Sequence, residues 1–211
     1  MIRCFMRREK RMIKILAQAI HHTLEFGDFD ITIIRGEDNK EHVVLIKGAI
    51  KGHENVLCRI SSECLPGTAL FSAECDCKQQ IEYSLKTISE EKNGIFIYLR
   101  QEGRGHGLAT KIRALANKNK GLDTFEAVEA LGLAADVREY SIVKDILDYY
   151  DIKSIRCLCN SPEKIHALQE EDVYISEVVN IPIAANSFSF PHLRAKQNRG
   201  HAIYFTDSIK E

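Results

Sequence analysis

The 211-residue chain carries 29 basic and 30 acidic side chains, so its formal net charge is −1 and nothing global draws it to nucleic acid or to a membrane surface. It is long enough to bury a sizeable core in one domain, and no stretch approaches the roughly 20 apolar residues of a membrane span. Seven cysteines, an odd number without a convincing secretory signal, point to a reducing compartment, the cytoplasm, and to thiols that are free or metal-bound.

Residues 1–22 read as a basic extension in which Arg3, Arg7, Arg8, Lys10, Arg11 and Lys14 interrupt short apolar runs, and this segment is expected to be helical or frayed. From Asp28 the pattern turns to strand: Phe29, Ile31 and Ile33 alternate with polar residues, Gly36 to Asn39 form a turn, and His42–Lys47 and Val56–Ile60 continue an antiparallel meander. The third strand runs into Ser61, Ser62, Glu63 and Cys64. Gln80–Glu91 puts Ile81, Leu85 and Ile88 on one helical face, and Ile95–Leu99 is a buried strand. A polar glycine-rich loop, Arg100 to Gly107, leads into a helix over Leu108–Lys120 that Gly121 ends. Thr124 is expected to cap a short helix closed by Gly132, and the next helix carries Ile142, Val143, Ile146 and Leu147. Ser154–Leu158 is a strand, Ser161 and Pro162 are the N-cap and first residue of a further helix, Val173–Val179 is a last strand, and 181–211 reads as loop-rich. The expected fold is α+β in a single compact domain, an N-terminal antiparallel β meander followed by an α/β portion.

Three of the cysteines, Cys64, Cys75 and Cys77, fall in fourteen residues with the spacing C-x10-C-x-C. Three thiolates with one open position suit a catalytic zinc, because a structural zinc closes its tetrahedron with a fourth Cys or His. Buried unliganded cysteines are the alternative, and the polar neighbours Asp76 and Lys78 weigh against it. The strand, glycine loop and helix around Gly103 to Gly107 have the layout of an anion cradle, although G-x-G-x-G is not the dinucleotide fingerprint. Cations recur at strand ends and helix starts, at Arg59, Arg100, Arg104, Arg138 and Lys164, and arginine forks bind phosphate oxygens bidentately. Glu63 and Asp136 are the carboxylates available as bases beside the metal, with surface ion pairing as the plainer role for either. A hydrolytic zinc beside a phosphate cradle implies water attack on a phosphorylated small molecule.

The segments Arg59-Ile60-Ser61-Ser62-Glu63-Cys64, Cys75-Asp76-Cys77, Arg100-Gln101-Glu102-Gly103-Arg104 and Leu131 to Arg138 together resemble the GTP cyclohydrolase II family, and the likeness runs from about Thr23 to His201. It divides the chain into the extension 1–22, a catalytic domain 23–201 and a tail 202–211. The resemblance implies a cytoplasmic, typically dimeric enzyme that opens the imidazole ring of GTP, releases formate and pyrophosphate, and feeds riboflavin synthesis. It implies one Zn2+ on Cys64, Cys75 and Cys77, with Mg2+ accompanying the triphosphate. It sets Arg59, Ile60, Ser61, Ser62, Glu63, Gln80, Glu102, Gly103, Arg104, Thr124, Cys159 and Lys164 around the nucleotide. Asp136 would be the proton acceptor and Arg138 the residue that attacks the α-phosphate. Three positions depart from the family pattern: Leu115 where a catalytic tyrosine is usual, Ser61 for a histidine, and Cys159-Asn160-Ser161 for T-N-N. Leucine neither donates nor accepts a hydrogen bond, so an enzyme that stops at the formamidopyrimidine nucleotide is a competing expectation, with His106 the group available to replace the phenol. A different purine nucleotide as substrate, or a catalytically silent nucleotide-binding protein, are the others.

Overall fold

Alternating apolar side chains build a seven-stranded mixed sheet in the computed structural model, which describes residues 13–203. Its strands are β1 (Lys14–Thr23), β2 (Gly27–Arg35), β3 (Glu41–Lys47), β4 (Val56–Ser62), β5 (Gly94–Leu99), β6 (Ile155–Leu158) and β7 (Ile175–Val179), in the spatial order β1-β2-β3-β5-β4-β6-β7. The first three strands and β5 pair antiparallel, whereas β5, β4, β6 and β7 run parallel. The meander and the α/β portion are thus halves of one sheet, and the α+β expectation holds.

The helices are α1 (Leu65–Thr68), α2 (Cys77–Glu91), α3 (Leu108–Lys118), α4 (Glu126–Glu129), α5 (Ser141–Tyr149), α6 (Pro162–Glu170) and α7 (Phe190–Asn198). Both sheet faces are covered, as parallel strands require. On one face Ile34, Val44, Ile60 and Ile97 pack with Val143 and Ile146 of α5 and Leu168 of α6. On the other, Phe29, Leu57 and Phe96 pack with Ile88 of α2. The chain leaves β4 through α2 to reach β5, then returns through α5 to β6 on the opposite flank of β4. Strand order therefore reverses at β4, and the crevice beyond the carboxyl ends of such strands is where open α/β sheets bind ligands.

Two expectations change. The stretch expected to be helical or frayed is, from Lys14 to Thr23, an edge strand that pairs with β2 from Lys14 opposite Arg35 to Thr23 opposite Gly27. Residues 1–12 lie outside the described part, as do 204–211 of the tail. The loop-rich reading of 181–201 gives way to α7, docked through paired bonds between the Gln79 amide and Ala184 and through Asn186 Nδ2 donating to Ala73 O at 3.1 Å. Smaller shifts concern helix ends. Helix α3 stops at Lys118, and Thr124 does not cap α4: the turn before it is held by Asp123, whose Oδ1 accepts from Phe125 N at 2.6 Å and Glu126 N at 2.9 Å.

Candidate active site

Strand β4 ends at Ser62 and delivers Cys64 into a tight turn, while Cys75 and Cys77 arrive where α2 begins. The three sulfurs lie within 4.8 Å of one another, with Cys64 and Cys75 Sγ 3.9 Å apart. Zinc–sulfur bonds of about 2.3 Å in a tetrahedron set sulfurs about 3.8 Å apart, so the cluster fits that ion as it stands. Gly67 in α1 lies directly beneath: a Cβ there would come to 2.4 Å from Cys75 Sγ and 3.1 Å from Cys64 Sγ. Only glycine permits the sulfurs to converge at that spot. The N-terminus of α2 adds partial positive charge at Cys77. Half-buried Lys111 faces the same group; desolvation opposes its charge, but Cys64, Cys77, Cys75 and Glu102 outweigh that and raise its pKa.

From the thiols a cavity of about 380 Å3 extends over the ends of β4, β5 and β6, within the size range of small-ligand sites. Its wall is markedly cationic for a chain of net charge −1: Arg59, Arg104, Arg138, Lys164, Lys196 and Arg199 all reach it. Arg59 is buried, donates from Nη1 to Leu158 O at 2.8 Å and from Nη2 to Gln80 Oε1, and leaves Nε without a partner. Lys164, on the first turn of α6 behind the Ser161 cap, donates to Ile60 O at 2.9 Å. Burial first, and then the Arg59 charge, depress its pKa to about 7.

The glycine loop forms a 3-10 turn over Glu102–Gly105 in which Gly103 and Arg104 both take positive φ. At Gly105, φ is +93° and a Cβ would meet Val137 Cγ2 at 2.9 Å. That geometry swings the Arg104 guanidinium onto Thr124, 3.3 Å from both its O and its Oγ1, and over the Phe125 ring at 4.0 Å. Arg199 lies over the same ring at 3.7 Å. Glu102 faces the cavity with its oxygens already engaged, Oε2 accepting from Leu65 N at 2.5 Å and Oε1 from Gly103 N at 2.8 Å. It ties the glycine loop to the cysteine turn.

Asp136 and Arg138 form a forked ion pair, Nε donating to Oδ1 at 2.9 Å and to Oδ2 at 3.1 Å, with Arg138 Nη1 also 3.4 Å from Ser62 Oγ. Burial works against the Asp136 carboxylate, but its bonds to Arg138 prevail and lower its pKa. Ser61, Glu63, Gln80 and Cys159 also line the cavity, so of the residues expected around the nucleotide only Ile60 does not line it. Ile60 points its side chain into the core, 1% exposed, and contributes only the carbonyl that holds Lys164. Of the expected cations Arg100 stands apart, paired with Glu63 at 3.0 Å on the outer side. His106 is likewise outside, its ring nitrogen 2.8 Å from Ala134 O. The sequence reading missed Lys111, His192, Lys196 and Arg199. Lys111 lies on the helix expected over Leu108–Lys120, whereas the other three sit on a segment read as loop. Among the described residues no helix is long and apolar enough to cross a membrane.

The sequence model described as GTP cyclohydrolase II matches residues 14–180. A protein of Picrophilus torridus named GTP cyclohydrolase-2 is 42% identical over 177 residues, which is 83% of this chain and 92% of that protein. Another of that name from Histophilus somni is 44% identical over 193 residues, 90% of this chain and 89% of its own length. One from Shewanella baltica is 42% identical over 178 residues, 82% and 87% of the two chains. With the thiol cluster, the glycine turn and the cavity cations Arg59, Arg104, Arg138 and Lys164 lying inside the matched residues 14–180, the chain belongs to the GTP cyclohydrolase II family, hydrolases that act on GTP.

Proposed function

We propose that this chain is a zinc-dependent enzyme that opens the imidazole ring of GTP and releases formate and pyrophosphate, leaving a 2,5-diamino-6-ribosylamino-pyrimidinone 5'-phosphate for riboflavin synthesis. The observation that carries the reading is the convergence of three thiols within 4.8 Å at one end of a cavity walled by cations. One end suits a Lewis acid and the other a polyphosphate. Cys64, Cys75 and Cys77 would hold zinc, which supplies Lewis acidity at the purine ring, tempered by the charge that three thiolates donate.

The chain's own residues divide the remaining work. Half-buried Arg138 and buried Lys164 take the phosphates, as cations with nearby hydrogen-bonding groups. Asp136 serves as proton acceptor only when its fork to Arg138 opens, and an incoming phosphate competes for that guanidinium. Attack by Arg138 on the α-phosphorus needs a proton taken from its guanidinium, which has no free electron pair while protonated; Asp136 is the carboxylate placed to accept it, and the new N–P bond forms as the bridging P–O bond breaks and pyrophosphate leaves. Arg104, braced on Thr124 and Phe125, closes the loop side of the cavity. Ser61, Ser62, Glu63, Gln80, Glu102, Gly103 and Cys159 complete the nucleotide's surroundings. Mg2+ enters with the triphosphate. The catalytic unit is taken as 23–201 with β1 as its edge strand. The enzyme works in the cytoplasm as a homodimer, and exposed Leu108 and Ile112, one turn apart on α3, give apolar surface for a second copy.

The test is to incubate zinc-loaded protein with GTP and magnesium and to follow product mass, formate and pyrophosphate, with metal content measured on the same sample. The expected result is about one zinc per chain and a ring-opened nucleotide, both lost in a Cys75→Ser, Cys77→Ser double variant. Unchanged GTP, or normal zinc in the double variant, would sink the reading.

A further inference from the structure

Arg199 closes the C-terminal end of α7, beyond the matched residues 14–180, and its side chain reaches the main cavity. Its guanidinium carbon lies 3.7 Å from the centroid of the Phe125 ring, and that of Arg104 lies 4.0 Å from the same centroid. The ring supports each guanidinium by cation–π attraction and takes up none of the N–H groups at its rim. Neither charge is balanced. Arg104 donates only to uncharged groups, to Thr124 O and Oγ1 at 3.3 Å and to Ala135 O at 3.4 Å. Arg199 Nη2 stands 3.6 Å from Glu129 Oε1, too long for a hydrogen bond, and the two side chains are 41% and 49% exposed, so water screens the pair. Burial first, and then the charges of Arg138 and Arg199 against that of Asp136, bring the Arg104 pKa down to about 10, so the cations are crowded at one another's expense. A cleft that gathers charge of one sign in this way favours a multiply charged ligand of the other. A neutral purine stacked on these guanidiniums would leave their repulsion as it is, whereas phosphate oxygens offset it and match the planar forks.

We propose that Arg199 and Arg104, both braced on Phe125, form a phosphate-binding subsite, and that Arg199 selects a nucleoside polyphosphate over the bare nucleoside, an inference that rests on the GTP reading above. Arg199 contacts phosphate oxygens in this role and takes no part in the ring chemistry at the thiols. It adds a third element, α7, to the two that bring cations to the phosphates, α6 through Lys164 and the stretch before α5 through Arg138. A polyphosphate held by both arginines also ties α7 to the glycine turn that carries Arg104.

The experiment measures, on zinc-loaded wild type, Arg199→Gln and Arg199→Lys with magnesium present, the affinity for three probes: 7-deaza-GTP, whose ring lacks the hydrolysable amidine, 7-deazaguanosine, and inorganic tripolyphosphate. Urea midpoints of the three proteins, expected to coincide because the residue is exposed, show that each variant is folded. Expected is a loss of about 10-fold or more for 7-deaza-GTP and for tripolyphosphate in Arg199→Gln, the scale of a lost hydrogen bond between charged groups, with 7-deazaguanosine within about twofold of wild type. Arg199→Lys, which keeps the charge without the planar fork, should recover part of the loss. Wild-type affinity of Arg199→Gln for tripolyphosphate overturns the inference, and so does an equal loss for 7-deazaguanosine and 7-deaza-GTP, which would place the base on Arg199. If wild type leaves GTP unchanged, the functional reading falls separately, and the tripolyphosphate comparison still decides the subsite.

Discussion

Leu115 walls a side pocket beside Cys64, Cys75 and His192, and it presents only methyl groups there. The proposed reaction takes two waters in succession, one at C8 to open the ring and one at the formamide carbon to expel formate. After the first, the formamide can rotate, and holding it for the second attack calls for a hydrogen-bonding group that leucine lacks. His106 cannot supply one, since its ring is bound at Ala134 O outside the cavity. Loss of one positioned acid or base costs about 10² to 10⁴ in rate, enough for the formyl nucleotide to leave first. The expected outcome is less than one formate for each pyrophosphate from wild type, and a ratio near one from Leu115→Tyr. A one-to-one ratio in wild type would refute this role for Leu115.

At the scale of elements, α7 is the piece on which the site depends and which the sequence conceals. It starts at a reciprocal cap, Asn186 Oδ1 accepting from Ser189 N at 2.8 Å and Ser189 Oγ from Asn186 N at 2.9 Å, while Asn186 Nδ2 reaches Ala73 O. One residue thus secures the helix that carries His192 and the loop that carries Cys75. Asn186→Ala is expected to cost about 1 to 2 kcal/mol in urea unfolding and to lower kcat with it, by loosening the helix that brings Lys196 and Arg199 to the cavity. A variant with the wild-type midpoint would show that the anchor lies elsewhere. The helix was hard to read because only His192, Leu193 and Ala195 of it are buried, too few to set up a 3.6-residue period, and Pro191 near its start reads as a breaker. Strand β1 was obscure for a related reason. Leu16, Ala17, Gln18 and Ala19 favour helix by propensity, and their strand state comes from pairing with β2 rather than from their own pattern. The thiols, the glycine turn and the cations at strand ends were legible, because spacing alone brings them to the end of one strand or one helix start. The residues that close the cavity from α7 depend on packing, which spacing does not encode.

The molecule as a whole is close to neutral, yet it concentrates its positive charge at the point where strand order reverses around β4. Low-dielectric walls make such a cavity attract a triphosphate far more strongly than net charge would indicate. They also tax the cations within it, and Lys164 shows the effect, its pKa brought from the usual lysine range to about 7 by burial and by Arg59. The sign follows from linkage. The unfolded chain keeps this proton up to about pH 10.4 while the folded chain releases it near 7, so burying the charged lysine destabilises the fold most below pH 7. That destabilisation fades as pH rises from 7. A bound triphosphate acts in the opposite sense, favouring the charged form, so binding above pH 7 draws a proton onto Lys164. Affinity for GTP should therefore fall as pH is raised from about 7 to 9, with proton uptake close to one per nucleotide at pH 8. Calorimetry in two buffers of different ionisation heat measures that uptake directly. Lys164→Gln should abolish it and bind more weakly throughout, whereas Lys164→Arg, charged over the whole range, should bind without the pH dependence. Guanosine, which lacks the phosphates, should show no uptake with any of the three proteins. Equal uptake in wild type and Lys164→Gln would move the linked proton to another group and remove Lys164 from the phosphate site.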